Sequence, residues 1–382
     1  MVRLGEIGII LTGNTPKTSD EKNYISQDIN FVKPSDFDED KITDISTSDY
    51  FISELARNEA RILPVGSVLV TCIGIIGKVG INSIECAFNQ QINAIIPDTK
   101  KCNNKFLAYE IQFKKDELQE LANAPVVPIL NKTQFSNIQI KLPMIEEQNK
   151  IVANLDKVNE IIDKRQQQLK KIDELVKSRF IEMFGDPVEN PHGFKKVALS
   201  ELAEIKIGPF GSLLHKEDYI EGGHPLLNPS HMVNGKVVPD SKLTISDKKY
   251  DKLEAYHLHT GDVVMGRRGE MGRCAVVPSE GSLCGTGSLL IRTKGEVTAD
   301  YIQKIISFPS FRKTIEDMAV GQTMPNLNVS IVSKFQIIKP PIEVQKNYYK
   351  FVALTDKSKL EIQKSLDKLE ILKKSLMQQY FG

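Results

Sequence analysis

The sequence predicts an α+β protein in which two mixed α/β globules are joined by two long antiparallel coiled-coil helices, with a pseudo-two-fold internal repeat. Two observations predict this fold class. The second half of the 382-residue chain repeats the first, since Pro128-Ile129-Leu130-Asn131 returns 197 positions later as Pro325-Asn326-Leu327-Asn328. Each copy also closes with a stretch of about 38 residues, free of proline and glycine, whose apolar residues follow a heptad pattern.

The composition limits the classes of protein to which this chain can belong. Apolar residues make up 41% and charged residues 26%, which is typical of a globular protein. The formal net charge is only +1, so a bulk polyanion binder is excluded and nucleic-acid contact needs local positive charge. No apolar run approaches the roughly 20 residues of a membrane helix, and the five cysteines include no CxxC pair. We therefore expect a cytoplasmic protein with free thiols and no membrane contact.

The globules are predicted from short apolar runs that glycine and proline interrupt. Residues 65–70 and 260–265 have the pattern of strands entered through a turn, and residues 92–96 and 288–291 that of buried strands. One amphipathic helix follows the strands in each copy. The predicted boundaries are residues 1–143 for the first globule, 144–185 for the first long helix, 186–340 for a linker and the second globule, and 341–382 for the second long helix.

Each long helix is predicted to begin after a proline, Pro143 or Pro340-Pro341, and the first to end at Gly185, where glycine suits the left-handed cap. The apolar seam needs a partner, and the other copy is favoured; the alternative is that each helix packs on its own globule. Antiparallel pairing would hold the globules at a fixed separation. The predicted seam residues are Leu155, Val158, Ile162, Leu169, Ile172, Val176, Val352, Ile362, Leu366, Leu369 and Leu376.

Signatures of catalysis are mostly missing from the sequence. The tetrapeptide of amino-methyltransferases is absent, and Gly74-Ile75-Ile76-Gly77-Lys78 lacks the spacing of a nucleotide-binding loop. His257 and His259 form the only close histidine pair, and the first copy has no histidine at the equivalent place. We therefore expect neither catalytic residues nor a metal site in this chain.

Polar, glycine-rich loops occupy equivalent places in both copies and carry different residues in each. Three arginines around one tight turn are poorly explained by packing, whereas arginine binds guanine O6 and N7 through two hydrogen bonds. Asn and Gln are the natural readers of adenine, although plain turns and buried amides are the alternatives. The predicted DNA contacts are Asn14, Thr15, Lys17, Lys78, Asn89, Gln90, Phe210, Ser212, Ser230, His231, Arg267, Arg268, Arg273 and Thr286.

Together these features resemble the specificity subunit of type I restriction-modification systems over essentially the whole chain. The most specific segments run from Leu142-Pro143-Met144-Ile145-Glu146-Glu147-Gln148 to Gly185 and from Pro340-Pro341-Ile342-Glu343-Val344-Gln345 to Gly382. Gly208-Pro209-Phe210-Gly211-Ser212 is also similar to the family. The first globule lacks this form and the arginine turn, as expected of two readers of different half-sites.

The resemblance implies that the globules are two target recognition domains, each reading one half of a split asymmetric DNA sequence, and that the chain itself is no enzyme. The implied partners are double-stranded DNA, two methyltransferase (modification) subunits that methylate adenine N6, and motor-nuclease (restriction) subunits. S-adenosylmethionine, ATP and Mg²⁺ would be bound by those partners and not by this chain.

Two other classes of protein remain as alternatives at this point. A two-headed coiled-coil scaffold would bind proteins without DNA specificity and would need no arginine turn. A single-chain nuclease or methyltransferase would need the motifs that are missing.

Overall fold

The computed structural model describes residues 1–122, 127–319 and 326–382, so Pro325 of the repeated motif lies outside the described residues. The chain divides into two compact units: Met1–Gln167 with Gln363–Gly382 form unit 1, and Gln168–Ile362 form unit 2. Each unit therefore combines one globule with a segment of both long helices. Within the described ranges, no helix is long and apolar enough to cross a membrane.

The globule of unit 1 contains two sheets whose strands are rich in valine and isoleucine, residues that suit a buried pleated surface. The five-stranded sheet has the order Gly8–Thr12, Ile92–Pro97, Val68–Ile73, Ile75–Asn82 and Thr43–Ile45, antiparallel except for the last pair. The four-stranded sheet has the order Phe51–Ile52, Ile29–Val32, Cys86–Phe88 and Ile62–Leu63, with a parallel central pair. Val2–Arg3 pairs with Gln139–Ile140, and the helices of this globule are Leu4–Ile7, Asn104–Phe113, Lys115–Leu121 and Lys132–Asn137.

The globule of unit 2 repeats this plan. Its antiparallel four-stranded sheet has the order Ala203–Ile207, Ser288–Thr293, Val263–Gly266 and Cys274–Val276. Its five-stranded sheet has the order Tyr219–Ile220, Thr244–Ile245, His224–Leu227, Ser282–Cys284 and His257–Leu258, with one parallel pair. Lys196–Ala198 pairs with Gln336–Ile338 and Met232–Val233 with Lys236–Val237, and the helices are Leu199–Leu202, Asp247–Lys252, Ala299–Ile306, Pro309–Met318 and Val329–Ser333.

Buried glutamines fix each long helix to a globule in the same way. Gln148 and Gln345 are both fully buried. The Oε1 of Gln148 accepts a hydrogen bond from the backbone N–H of Asn103 at 2.8 Å, and the Oε1 of Gln345 accepts one from Thr298 at 2.9 Å. Asn103 and Thr298 in turn cap the N-termini of equivalent helices. This matched contact shows the internal repeat in structural detail.

Aromatic rings anchor the far end of each long helix. Phe381 lies 5.4 Å from Phe106 in unit 1, and Phe184 lies 5.1 Å from Tyr301 in unit 2, measured between ring centroids. All four rings are buried. Phe184 and Phe381 are equivalent residues near the ends of the two copies of the repeat. Equivalent residues therefore make the same contact between long helix and globule in both units.

The long helices run antiparallel within each unit. Each has 40 residues, and their bounds are Ile145–Phe184 and Ile342–Phe381. In unit 2 the ammonium of Lys359 pairs with Asp173, while the hydroxyl of Tyr348 donates to the carbonyl of Val176 at 3.2 Å. Residue numbers therefore rise along one helix as they fall along the other. The predicted fold class, including the mutual pairing of the helices, is confirmed.

The predicted seam residues are buried or half-buried in both units. In unit 1 the Nδ2 of Asn154 donates to the hydroxyl of Tyr380 at 3.1 Å across the pair. Two half-buried lysines, Lys359 and Lys373, interrupt the apolar seam of the second long helix. Lys359 has a carboxylate partner, and burial lowers the pKa of Lys373. Leu155, Val158, Ile162 and Leu366 are buried, and Leu169, Ile172, Val176, Val352, Ile362, Leu369 and Leu376 are half-buried.

Candidate nucleic-acid interface

Four loop segments that are distant in sequence meet in each unit. In this description the first loop is 12–17 in unit 1 and 207–212 in unit 2, the second 72–78 and 267–273, the third 89–91 and 285–287, and the fourth 33–36 and 228–231. The third loop is central. Backbone hydrogen bonds join this loop, or the strand ends beside it, to the first and second loops and to the strand residue that precedes the fourth loop. In unit 1 these bonds run from Gly13 to Ile92, from Cys72 to Gln91 and from Asn89 to Val32, at 3.0, 2.7 and 3.1 Å. In unit 2 they run from Gly208 to Ser288, from Arg267 to Gly287 and from Gly285 to Leu227, at 3.1, 3.0 and 3.0 Å.

A glycine permits the contact between the first and third loops. A Cβ atom on Gly13 would clash with the carbonyl oxygen of Asn89, and one on Gly208 would clash with that of Gly285. These two glycines are equivalent in the repeat. Both units therefore build one surface by the same close approach of two backbones.

Neutral polar groups dominate the surface of unit 1. The exposed hydroxyl of Thr15 donates to the Oε1 of exposed Gln90 at 2.6 Å, so the first and third loops also meet through side chains. Asn14 is half-buried, and its Oδ1 accepts a hydrogen bond from the backbone N–H of Arg61 at 2.8 Å. Lys17 is exposed beside them. Thr15, Gln90 and Lys17 are accessible to a ligand.

Two of the predicted DNA-contacting side chains in unit 1 bind other residues of the protein instead of facing solvent. The amide of Asn89, only 6% exposed, donates to the Oε1 of Gln91 at 2.9 Å and shapes the third loop. The side chain of Lys78 is 10% exposed and pairs with Glu39 at 2.8 Å. Its Nζ also donates to the carbonyl of Phe37 at 3.4 Å. The structure therefore gives no support to a DNA contact by Lys78, because burial and a carboxylate partner hold its charge within the globule.

The surface of unit 2 combines an exposed aromatic ring with small hydroxyls. Phe210 is 61% exposed, and Ser212, Ser230 and Thr286 are also exposed. His231 differs from these residues because its ring is buried. Its Nδ1 accepts a hydrogen bond from the backbone N–H of Asn228, in the same loop, at 3.2 Å. The His231 side chain therefore closes the turn, and its contact with DNA stays a prediction.

The three predicted arginines have three different environments. The guanidinium of Arg273 pairs with Glu270, a carboxylate that also accepts a hydrogen bond from Arg312 at 3.2 Å. The Nε of Arg267 donates to the Oδ1 of Asn326 at 3.1 Å, and burial lowers the pKa of this guanidinium. Arg268 is exposed and has no ion pair among the described residues.

These environments determine which of the three arginines can bind a ligand. Arg273 helps to build the turn. Arg267 is oriented through Nε, which leaves both terminal nitrogens for a ligand, and this fixed fork suits recognition through two hydrogen bonds. Arg268 offers an unneutralised charge. Asn326 was missed by sequence reasoning; it lies in the repeated motif, but at the one position of the four that differs, since the first copy has Ile129 there.

The histidine pair has no common ligand position. His257 stacks on Tyr250 with ring centroids 3.8 Å apart, whereas the Nδ1 of His259 lies 3.4 Å from a carboxylate oxygen of Glu280. Among the described residues, no group of three or more His, Cys, Asp or Glu side chains is placed to hold a metal ion.

Comparisons with known proteins place this arrangement in a family. The family described as type I restriction modification DNA specificity domain matches residues 1–174 and again residues 191–372. The chain is 24% identical to the type I restriction enzyme MjaIX specificity subunit of Methanocaldococcus jannaschii, over 98% of this chain and 90% of that protein. It is 29% identical to the type I restriction enzyme HindI specificity subunit of Haemophilus influenzae, over 45% of this chain and 39% of that protein.

Solved structures share the fold. A structure reported for the complex assembly and conformational transition of the type I restriction-modification system has a TM-score of 0.66 at 18% identity, covering 99% of this chain and 96% of that chain. The type I S subunit from M. genitalium has a TM-score of 0.58 at 13% identity, covering 100% and 95%. Because the family model matches both halves of the chain, the chain belongs to the type I restriction-modification DNA specificity family, as a specificity subunit and not as one of the catalytic subunits.

Proposed function

We propose that this chain reads a bipartite asymmetric DNA target, with one half-site for each unit and an unread spacer between them. The observation that carries the proposal is the four-loop surface, which both units build by equivalent backbone contacts from different side chains. Two surfaces with the same backbone arrangement and different side chains suit the recognition of two different DNA half-sites. Contacts to base edges determine which DNA sequence is bound, whereas contacts to phosphates position the protein on the duplex.

The two half-sites should differ in base composition. Unit 2 presents Arg267 in a fixed orientation, and arginine favours guanine. Unit 1 presents Thr15 and Gln90, and the amide of glutamine favours adenine. An asymmetric target follows from these two chemistries.

The spacer is proposed to follow from the long helices, which contribute a segment to both units. A helix of 40 residues is about 60 Å long at about 1.5 Å per residue. Half-sites one helical turn apart, roughly 34–36 Å, would face the same side of the duplex. Paired helices of this length can fix such a separation, and the bases between the half-sites need not be read.

The chemistry is proposed to belong to the partner subunits. Two modification subunits would methylate adenine N6 in the two half-sites, and motor-nuclease subunits would restrict unmodified DNA in the cytoplasm. S-adenosylmethionine, ATP and Mg²⁺ would bind to those partners. The methylating subunit has to flip the adenine out of the stack, so the reading surface must leave that base accessible. The net charge of +1 fits a protein whose partners neutralise much of the phosphate charge.

The test is to express this chain with its modification partner in cells that lack other adenine methylation and to map N6-methyladenine across the genome. We expect one motif with two unequal specified halves and a spacer of constant length. Methylation without a sequence motif, or no DNA selectivity in an assembled complex, would contradict the proposal and favour a protein-binding scaffold. Expression of the modification partner alone is the control.

A further inference from the structure

Cations around the surface of unit 1 are mostly bound within the protein. Arg57 pairs with Glu54 and, at 2.7 Å, with Glu85. The guanidinium of Arg61 donates to the carbonyl of Thr12. Since Lys78 is also paired, these three cations are not available to a ligand without breaking internal contacts.

Lys33 lies in the fourth segment, at the point where this segment meets the third loop. It directly follows the strand Ile29–Val32, and the carbonyl of Val32 accepts the backbone hydrogen bond from Asn89. It stands just before the short turn Pro34–Asp36, as Asn228 stands before Pro229–His231 in unit 2. In unit 2, the Oδ1 of Asn228 holds the backbone N–H of Gly287 at 3.2 Å. This position therefore belongs to the loop junction in both units.

The ammonium of Lys33 contacts an aromatic ring and has no carboxylate to neutralise its charge among the described residues. Its Nζ lies 3.1 Å from the ring centroid of Tyr50 and 5.8 Å from that of Phe31. No carboxylate in the described part of the chain forms an ion pair with this ammonium. The two carboxylate oxygens of Asp36 accept hydrogen bonds from the backbone N–H groups of Lys33 at 2.7 Å and of Asp49 at 3.1 Å. The ring of Tyr50 is 46% exposed. Lys33 is half-buried, and a cation–π contact fixes the place of its ammonium without cancelling the charge. The N–H donors that point away from the ring remain for a ligand.

We propose that Lys33, held over the ring of Tyr50, is a DNA contact of unit 1 and supplies there the positive charge that the sequence assigned to Lys78. The inference rests on the proposed function and adds a residue to its first half-site. The ligand atoms are hydrogen-bond acceptors of the duplex, either guanine O6 and N7 or phosphate oxygens. Thr15, Gln90 and Lys17 on the adjoining loops complete the same surface.

The experiment uses the complete chain in complex with its modification subunit. Lys33→Met keeps the aliphatic stem and removes the charge, and Lys33→Arg keeps the charge. We expect Lys33→Met to weaken methylation at the cognate target about tenfold through the unit 1 half-site, the size expected for one good base contact. Lys33→Arg should retain more activity than Lys33→Met. Tyr50→Phe should behave as wild type because the ring remains, whereas Tyr50→Leu should reproduce part of the loss.

The half-site read by unit 2 serves as the control for folding and assembly in the same molecule. Relaxation at one base pair of the unit 1 half-site would support a base-edge contact. A uniform loss of affinity, with a salt slope smaller by about one, would support a phosphate contact. Wild-type affinity and motif in Lys33→Met would overturn the inference, as would an equal loss of discrimination in both half-sites. A wild-type chain without a bipartite motif would instead refute the proposed function.

Discussion

Individual residues on the two four-loop surfaces differ in whether another residue of the protein already binds their side chain. Arg267 and Arg268 are neighbours with the same charge, yet only Arg267 is oriented by a side-chain partner, Asn326. That partner is 59 positions away in sequence, so no local pattern could distinguish the two arginines. The same limit applies to Lys78, because its partner Glu39 belongs to a distant segment. Residue type and loop position could be predicted, but the internal partner could not.

Arg267→Gln and Arg268→Gln form a matched pair that removes one charge from adjacent positions. We expect Arg267→Gln to relax one base pair of the unit 2 half-site, at a cost of about 1–3 kcal/mol in discrimination. Arg268→Gln should weaken binding to all sequences alike and reduce the salt slope by about one, because its exposed charge suits a phosphate. Binding of the assembled complex to a library of half-site variants at several salt concentrations measures both effects. Equal effects of the two variants on the motif would contradict the assignment.

At the scale of elements, the long helices could be predicted closely and the loop junction could not. The heptad pattern and the flanking prolines predicted helices from residues 144 and 341, and the structure begins them at Ile145 and Ile342. Local signals suffice there because a helix is defined by contacts three and four residues apart. The four loops meet through hydrogen bonds between remote segments, such as Arg267 with Gly287. The glycines Gly13 and Gly208 were visible as repeated residues, but not as points of contact.

A paired insertion tests whether the long helices set the spacer. Seven residues added after residue 167 and seven after residue 362 preserve the heptad phase and the opposing contacts, such as Asp173 with Lys359. Each helix gains about 10.5 Å, which corresponds to about three base pairs. We expect a methylated motif with the same half-sites and a spacer longer by about that number.

The control is insertion into the first helix alone, which shifts every contact on one side of the insertion. We expect that variant to lose helix pairing and methylation together. An active paired variant with the wild-type spacer would show that another feature determines the distance between the half-sites.

The whole molecule consists of two copies of one unit. The contacts between long helix and globule are the same in both copies, whereas the side chains of the loops differ. Gln148 and Gln345, or Phe184 and Phe381, make equivalent contacts between helix and globule. The first and third loops carry Thr15 and Gln90 in unit 1, where unit 2 has Phe210 and Thr286. The arginine turn of unit 2 stands where unit 1 has residues 72–78. The repeat could be predicted from sequence because identical residues recur at a fixed distance. The division into two units that each include both helices could not, because it depends on which helix segments pair.

The most direct test of two independent readers is to exchange residues 1–143 for the equivalent globule of a related specificity subunit and to map methylated adenines again. This exchange keeps both long helices, and the contact from Gln148 uses a backbone N–H that any residue except proline supplies. The account predicts that one half-site is replaced, while the other half-site and the spacer length stay as in the wild-type motif. A change in both half-sites, or none in either, from an assembled and active complex would contradict it.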